Sequence, residues 1–124
     1  MFMNDFLQKN FNKFHIIGGV IHCYSYSPEM AKQYVDMGFY IGVGGVVTFK
    51  NGKKLKETVE AIPLTSIVLE TDAPYMAPVP MRGKRNESSY IIYIKEKLAE
   101  IYGTTADEVD RITTETAKRV FATP

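Results

Sequence analysis

The sequence predicts an α/β fold organised around a parallel sheet. Three observations carry that prediction. Short β-branched apolar runs are each followed by a helical segment, that order repeats along the 124 residues, and glycines and prolines punctuate the joins. Strands joined through helices pair in parallel by right-handed crossovers. Two architectures share the pattern, an open doubly wound sheet and a (β/α)₈ barrel. A complete barrel takes about 250 residues, so this length would supply only part of one. A partial barrel leaves strand edges unpaired, and such edges invite association.

The elements follow in order. Val20-Ile21-His22-Cys23, after Gly18-Gly19, is a run of strand type. Ser27 caps the next helix, with Pro28 at its first position and Glu29 complementing the dipole. Met30, Ala31, Tyr34 and Val35 form its apolar stripe, and Gly38 stops it. A second strand runs from Phe39 through Val43 and ends at Gly44-Gly45, where another backbone or a ligand can approach or the chain can turn tightly. Asn51 opens a helix marked by Leu55, Val59 and Ile62, which Pro63 ends. The third strand, Ile67 to Thr71, is apolar enough to be buried on both faces. Residues 73–87 carry Pro74, Pro78, Pro80 and Gly83, which excludes a helix. Ser88 or Ser89 then caps a long helix with Ile91, Ile94, Leu98 and Ile101 on one face, closed by Gly103. Thr105 caps a last helix whose inner side is Val109, Ile112, Ala117 and Val120, with a kink expected at Thr113-Thr114. There is no internal repeat.

Composition narrows the function classes. Fifteen basic residues against fourteen acidic ones leave a net charge of +1, so attraction to a polyanion has to come from a local cluster. One cysteine, Cys23, cannot form an internal disulfide, and no apolar run approaches the roughly 20 residues that span a bilayer. The N-terminal residues lack the unbroken apolar stretch of a signal peptide. A soluble cytoplasmic protein is expected, with no membrane partner.

Chemistry is expected at strand ends, where parallel α/β folds gather functional groups. His22 closes the first strand and Asp72 follows the third. Imidazole and carboxylate both suit divalent metals. Equally, a histidine inside an apolar strand can be a hydrogen-bonded core residue, and an aspartate after a strand can cap a turn. Arg82-Gly83-Lys84-Arg85-Asn86-Glu87 is the dense basic cluster, suited to phosphate oxygens or to simple solvation of a loop. Tyr24, Tyr26 and Tyr75 are candidates for stacking on bases or for packing near strand ends. Cys23 reads as a small buried hydrophobe, and Lys50, Lys53, Lys54 and Lys56 as a solvated face.

Several strings go beyond generic patterning. Gly19-Val-Ile-His-Cys-Tyr-Ser25, Phe39-Tyr-Ile-Gly-Val-Gly-Gly-Val-Val-Thr-Phe-Lys-Asn51, Glu70-Thr-Asp-Ala-Pro-Tyr75, Arg82-Gly-Lys-Arg-Asn-Glu87 and Thr113-Thr-Glu-Thr-Ala-Lys-Arg-Val-Phe121 resemble, in order and spacing, segments of the TatD family of metal-dependent deoxyribonucleases. The resemblance covers nearly all of the chain after Gly18. It implies the last three β/α units of a (β/α)₈ TIM barrel of the metal-dependent hydrolase type. Residues 1–18 would then be the remnant of a connecting helix and linker, and residues 19–124 the C-terminal part of the barrel domain. By position, His22 matches a metal-ligand histidine of the sixth strand. Asp72 matches an eighth-strand aspartate that is both a metal ligand and a catalytic group. Glu70 matches a residue supporting those ligands. Arg82, Lys84, Arg85 and Asn86 would hold DNA phosphate. The cofactor implied is a divalent metal ion (zinc, manganese or magnesium).

The departures shape the functional expectation. The family's paired first-strand histidines, fourth-strand glutamate and fifth-strand histidine have no counterpart, since the chain holds only His15 and His22. Tyr26 stands where the family usually has glycine and is expected to crowd His22. Ser88 stands for proline, and Thr116 for asparagine, with loss of a side-chain hydrogen bond expected. The favoured reading is a truncated deoxyribonuclease with little activity alone. The others are half of a split enzyme completed by an N-terminal partner chain, and a non-catalytic phosphate-binding module, dimeric through its open strand edges.

Overall fold

The computed structural model describes residues 16–17, 19–22, 24, 26–71 and 75–121. Its sheet is built on three buried isoleucines. In the parallel pairing of β2 (Val20–Ile21) with β3 (Tyr40–Val43), Ile21 lies beside Ile41. In the parallel pairing of β3 with β4 (Ile67–Leu69), Ile41 lies beside Ile67. All three are fully buried, and each contributes about 1.5–3 kcal/mol by leaving water. Side chains alternate across a sheet, so the next residues, His22 and Gly42, share the opposite face with Val68 and Glu70. That register decides where the chemistry sits.

Expected strands and helices are present, with adjusted ends. Helix α1 (Pro28–Asp36) has Ser27 as its cap, the hydroxyl accepting from the Met30 amide at 3.2 Å. Gly38, at φ +91°, turns the chain into β3. Helix α2 (Lys53–Ala61) starts after Gly52 rather than at Asn51, with no side-chain cap. The glycine is needed for space, because a Cβ there would sit 2.2 Å from the Val46 carbonyl oxygen. Helix α3 (Ile91–Tyr102) follows a 3₁₀ turn at Ser88–Tyr90 and ends on left-handed Gly103. Helix α4 (Ala106–Phe121) has Thr105 as its cap, its hydroxyl accepting from the Glu108 amide at 3.1 Å.

Local detail differs from the expected pattern at three points, one near the start of the described residues and two in helix α4. Ile16–Ile17, inside the segment expected to be helix remnant and linker, form β1, antiparallel to β2. Helix α4 runs unbroken through Thr113-Thr114. The Thr113 hydroxyl donates to the Val109 carbonyl one turn back (2.8 Å), which leaves the ladder intact. Its buried side is Val109, Thr113 and Thr116 rather than Ala117 and Val120.

The sheet order is β1-β2-β3-β4. Helix α1 packs on α2, α3 on α4, and α4 covers β4. Tyr102 ties α3 to α2, its hydroxyl sharing one proton between the carbonyls of Val59 (2.7 Å) and Ile62 (2.9 Å). Among the described residues β4 pairs on one side alone. Beside it a cleft of about 520 Å³ opens between Val68, Leu69 and helix α4. No helix among the described residues is long and apolar enough to cross a membrane.

Candidate metal and phosphate site

His22 and Glu70 directly follow β2 and β4, which are not neighbours because β3 lies between them. Their side chains still meet, with His22 Nδ1 2.8 Å from Glu70 Oε2. Gly42 makes this possible. A Cβ at Gly42 would stand 2.4 Å from Glu70 Oε1 and 2.9 Å from its carboxyl carbon. The missing side chain is the window through which Glu70 crosses β3. The backbone at Gly42 has no positive φ, so space rather than conformation demands glycine.

The pair fixes the imidazole. With Nδ1–H donating to the carboxylate, the neutral imidazole carries its lone pair on Nε2. That atom is buried and has no hydrogen-bond partner among the described residues. A buried acceptor without a partner is costly. A histidine held by a carboxylate at one nitrogen, with the other nitrogen left over, is how metal-bound imidazole is oriented. The donor chemistry therefore fits a divalent metal ligand at His22. Asp72, expected to be both ligand and catalytic group, lies outside the described residues, as do His15 and Cys23. Among the described residues no three histidine, cysteine or acidic side chains gather as a metal cluster. Tyr26, expected to crowd His22, has its ring edge-on to Tyr24 at 5.6 Å. Tyr24 is buried, its hydroxyl donating to the Ser27 carbonyl, and burial pushes its pKa well above the ordinary tyrosine value.

The basic loop divides into two parts. Arg82, Lys84 and Arg85 are exposed. The Arg82 guanidinium stacks 4.0 Å over the Phe49 ring, a cation–π contact. Lys84 and Arg85 form no ion pair among the described residues. Asn86, expected on phosphate, is instead buried, at 4% exposure. Its amide nitrogen donates to the carbonyls of Thr71 and Tyr75, the latter at 2.8 Å. Both amide hydrogens are committed, so Asn86 braces the ends of the segment that contains Asp72. The loop is pinned further along as well. The Val79 amide donates to the Thr48 hydroxyl at 2.8 Å. Gly45 admits the Met76 carbonyl oxygen to within 2.5 Å of where its Cβ would be, so the close approach expected at Gly44-Gly45 is by another backbone.

Sequence reasoning missed Gly42, and its signal was a lone glycine inside an otherwise apolar strand, which marks close approach. It also missed the inward turn of Asn86, since a polar residue in a basic loop carries no mark of burial.

The sequence profile of the family described as TatD related DNase matches residues 3–122. The metal-dependent hydrolase YabD of Bacillus subtilis is 50% identical over 105 residues, which cover 85% of this chain and 41% of that protein. The metal-dependent hydrolase YcfH of Escherichia coli K12 is 39% identical over 104 residues, covering 84% and 39%. The crystal structure of YJJV, a TatD homologue from Escherichia coli K12, superposes with a TM-score of 0.76 at 31% identity over 85% of this chain and 40% of its own. The chain thus spans about two-fifths of the length of these relatives. Its three parallel strands with covering helices are consistent with part of their barrel. A family match over nearly the whole chain, together with this structural likeness, establishes that the chain belongs to the TatD-related DNase family.

Proposed function

We propose that this chain supplies one side of the metal site of a hydrolase acting on DNA phosphodiester bonds. The observation that carries the proposal is the His22–Glu70 pair, with His22 Nε2 buried and unpartnered at the ends of parallel strands. His22 Nε2 and the Asp72 carboxylate would hold a divalent ion (zinc, manganese or magnesium). That ion, when bound, would polarise the phosphoryl oxygen and lower the pKa of the attacking water. Glu70 keeps the imidazole in the tautomer that leaves Nε2 free. Asp72 would accept the proton of the attacking water, and Asn86 would hold the backbone on either side of Asp72 in place. Arg82, Lys84 and Arg85 would neutralise phosphate beside the site.

Two ligands do not make a full site, so the isolated chain is proposed to have little activity. The open edge of β4 and the cleft beside it would receive further strands from a complementing N-terminal half, or a second copy of the chain. A cytoplasmic setting, where Cys23 stays reduced, belongs to the same reading. The test is hydrolysis of an end-labelled oligonucleotide by the chain alone and mixed with a polypeptide supplying the remaining strands. Metal-dependent cleavage in the mixture, abolished by EDTA and by Asp72→Ala, is expected. A metal-loaded mixture that leaves DNA intact would sink the nuclease reading. Robust cleavage by the chain alone would overturn the need for completion.

A further inference from the structure

The cleft beside β4 carries an acid and a base on one helix face. Its apolar lining comes from Val68 and Leu69 of β4, Ile91 of α3, and Ala117 and Phe121 of α4. Phe121 is 51% exposed, and β4 pairs on one side alone among the described residues. An open strand edge therefore adjoins exposed apolar surface, the combination that invites association. Asp110 and Lys118 border the same cleft from helix α4. Asp110 meets Lys95 at 2.7 Å, yet its side chain stays 53% exposed. Lys118 is exposed and forms no ion pair among the described residues.

These two charges are symmetric about one residue. Asp110 stands four residues before Thr114 and Lys118 four after it, which is about 6 Å along the helix axis in each direction. A two-fold axis at Thr114 sets helix α4 antiparallel to its copy, with Lys118 of each chain opposite Asp110 of the other. Each chain then supplies both halves of the ion pairs, the self-complementarity that an isologous contact requires. Thr114 and Ala117 are small, so the helices can approach to the ~8–10 Å of packed pairs. The same axis, taken normal to the sheet, turns the two open β4 edges toward each other. A net charge of +1 leaves little repulsion between copies.

We propose that the chain associates with a second copy of itself through the α4–β4 cleft, in an antiparallel two-fold contact closed by Lys118–Asp110 ion pairs between the copies. The inference rests on the reading that the β4 side is open for completion, and it names the occupant as a second copy. It requires neither DNA nor metal.

Sedimentation velocity of the chain in EDTA, without DNA, reads the oligomeric state. One helix face and one strand edge make a contact at the small end of specific interfaces, so dimer is expected at concentrations on the order of 10 μM and above. Lys118→Glu sets an acid against Asp110 of the copy, and Asp110→Lys sets a base against Lys118. Each variant alone should dimerise about tenfold more weakly, or worse. Mixed in equal amounts they should associate again, because both pairs between copies become attractive. Both positions are exposed, so both variants are expected to fold, and melting curves check this. Thr114→Cys leaves the charges in place. Under mild oxidation it should crosslink position 114 of one copy to position 114 of the other, whether or not the charge variants fold.

A wild-type chain that stays monomeric up to millimolar concentration would overturn the dimer. So would a dimer that both charge reversals leave intact, a mixture of folded variants that fails to associate, or crosslinking that avoids position 114. A monomer whose cleft takes up only the N-terminal polypeptide would assign the surface to that occupant and overturn the dimer as well. In each case the nuclease reading stands or falls by its own hydrolysis assay. A confirmed dimer beside a metal-loaded mixture that leaves DNA intact would fail the nuclease reading alone.

Discussion

Gly42→Ala tests the geometry of the site at its narrowest point. The added methyl would lie 2.4 Å from Glu70 Oε1 and 2.9 Å from the carboxyl carbon, while the next contact, the Ile21 carbonyl oxygen at 3.2 Å, is tight but tolerable. Two responses are open. Either β3 shifts, at the ~1–3 kcal/mol typical of overpacking, or Glu70 swings off His22. The second response gives up a hydrogen bond involving a charged group, worth ~1.5–3 kcal/mol. Against both stands the ~0.4–1 kcal/mol by which alanine restricts the unfolded chain. The carboxylate is the end of a flexible side chain, so it should move first, with a net loss of ~1–2 kcal/mol. Urea unfolding of Gly42→Ala, Glu70→Ala and the double variant measures this as a cycle. The methyl should cost ~1–2 kcal/mol beside Glu70 and nearly nothing without it. The imidazole ¹⁵N shifts of His22 should report the same loss of the Nδ1 hydrogen bond in Gly42→Ala as in Glu70→Ala. An equal cost in both backgrounds would refute the argument that Gly42 exists to let Glu70 through.

Three other expectations follow from single contacts. Asn86→Ala removes the amide that two carbonyls share, so thermal or urea unfolding should show a loss of ~1–3 kcal/mol, and proteolysis within 72–87 should become faster. Thr116→Val keeps shape but deletes a fully buried hydroxyl that bonds the carbonyls of Ile112 (2.9 Å) and Thr65 (3.2 Å), with an expected cost of ~1 kcal/mol in urea unfolding. Tyr102→Phe should cost ~1–2 kcal/mol near pH 8 by releasing two carbonyls. Burial raises the Tyr102 pKa above the ordinary tyrosine value of about 10. Its contribution is therefore complete below pH ~10 and declines as pH rises toward the folded pKa. The gap between wild type and Tyr102→Phe should accordingly narrow in alkaline unfolding curves, and a gap that widened would contradict the assignment.

The sequence made the scaffold legible because scaffold signals are local. Ser27, Pro28, Gly103 and Thr105 act within a few residues of where they stand, and the caps formed there as their chemistry requires. Apolar stripes such as Ile91, Ile94 and Leu98 turned inward for the same reason. What sequence could not show was pairing over distance. His22 and Glu70 are 48 residues apart, and their meeting depends on a third strand and on the side chain that Gly42 lacks. Thr116 read as a lost hydrogen bond by comparison with asparagine, yet its hydroxyl finds the Thr65 carbonyl 51 residues away. Asn86 read as a surface donor for want of any sign that Thr71 and Tyr75 would surround it. The two-residue strand Ile16–Ile17 was too short for periodicity to register.

These long-range contacts share a property that bears on function. The elements that orient His22, namely β2, the Gly42 window in β3 and Glu70 directly after β4, all belong to this chain, as does Asn86, which holds the carbonyls of Thr71 and Tyr75. Orientation of His22, the proposed ligand, therefore requires nothing from the open side of β4. A ligand that is already fixed loses little freedom when a metal arrives, and preorganisation of this kind contributes to affinity by lowering the ordering cost. The proposed division of labour follows. This chain would hold its half of the site ready, and completion by further strands would add ligands rather than reorganise those present. Adding the complementing polypeptide should consequently leave the His22 Nδ1 signal where it stands in the isolated chain and perturb the environment of Nε2 only when metal is added. A shift of the Nδ1 signal on mixing, before any metal, would show that the half-site is assembled by its partner instead.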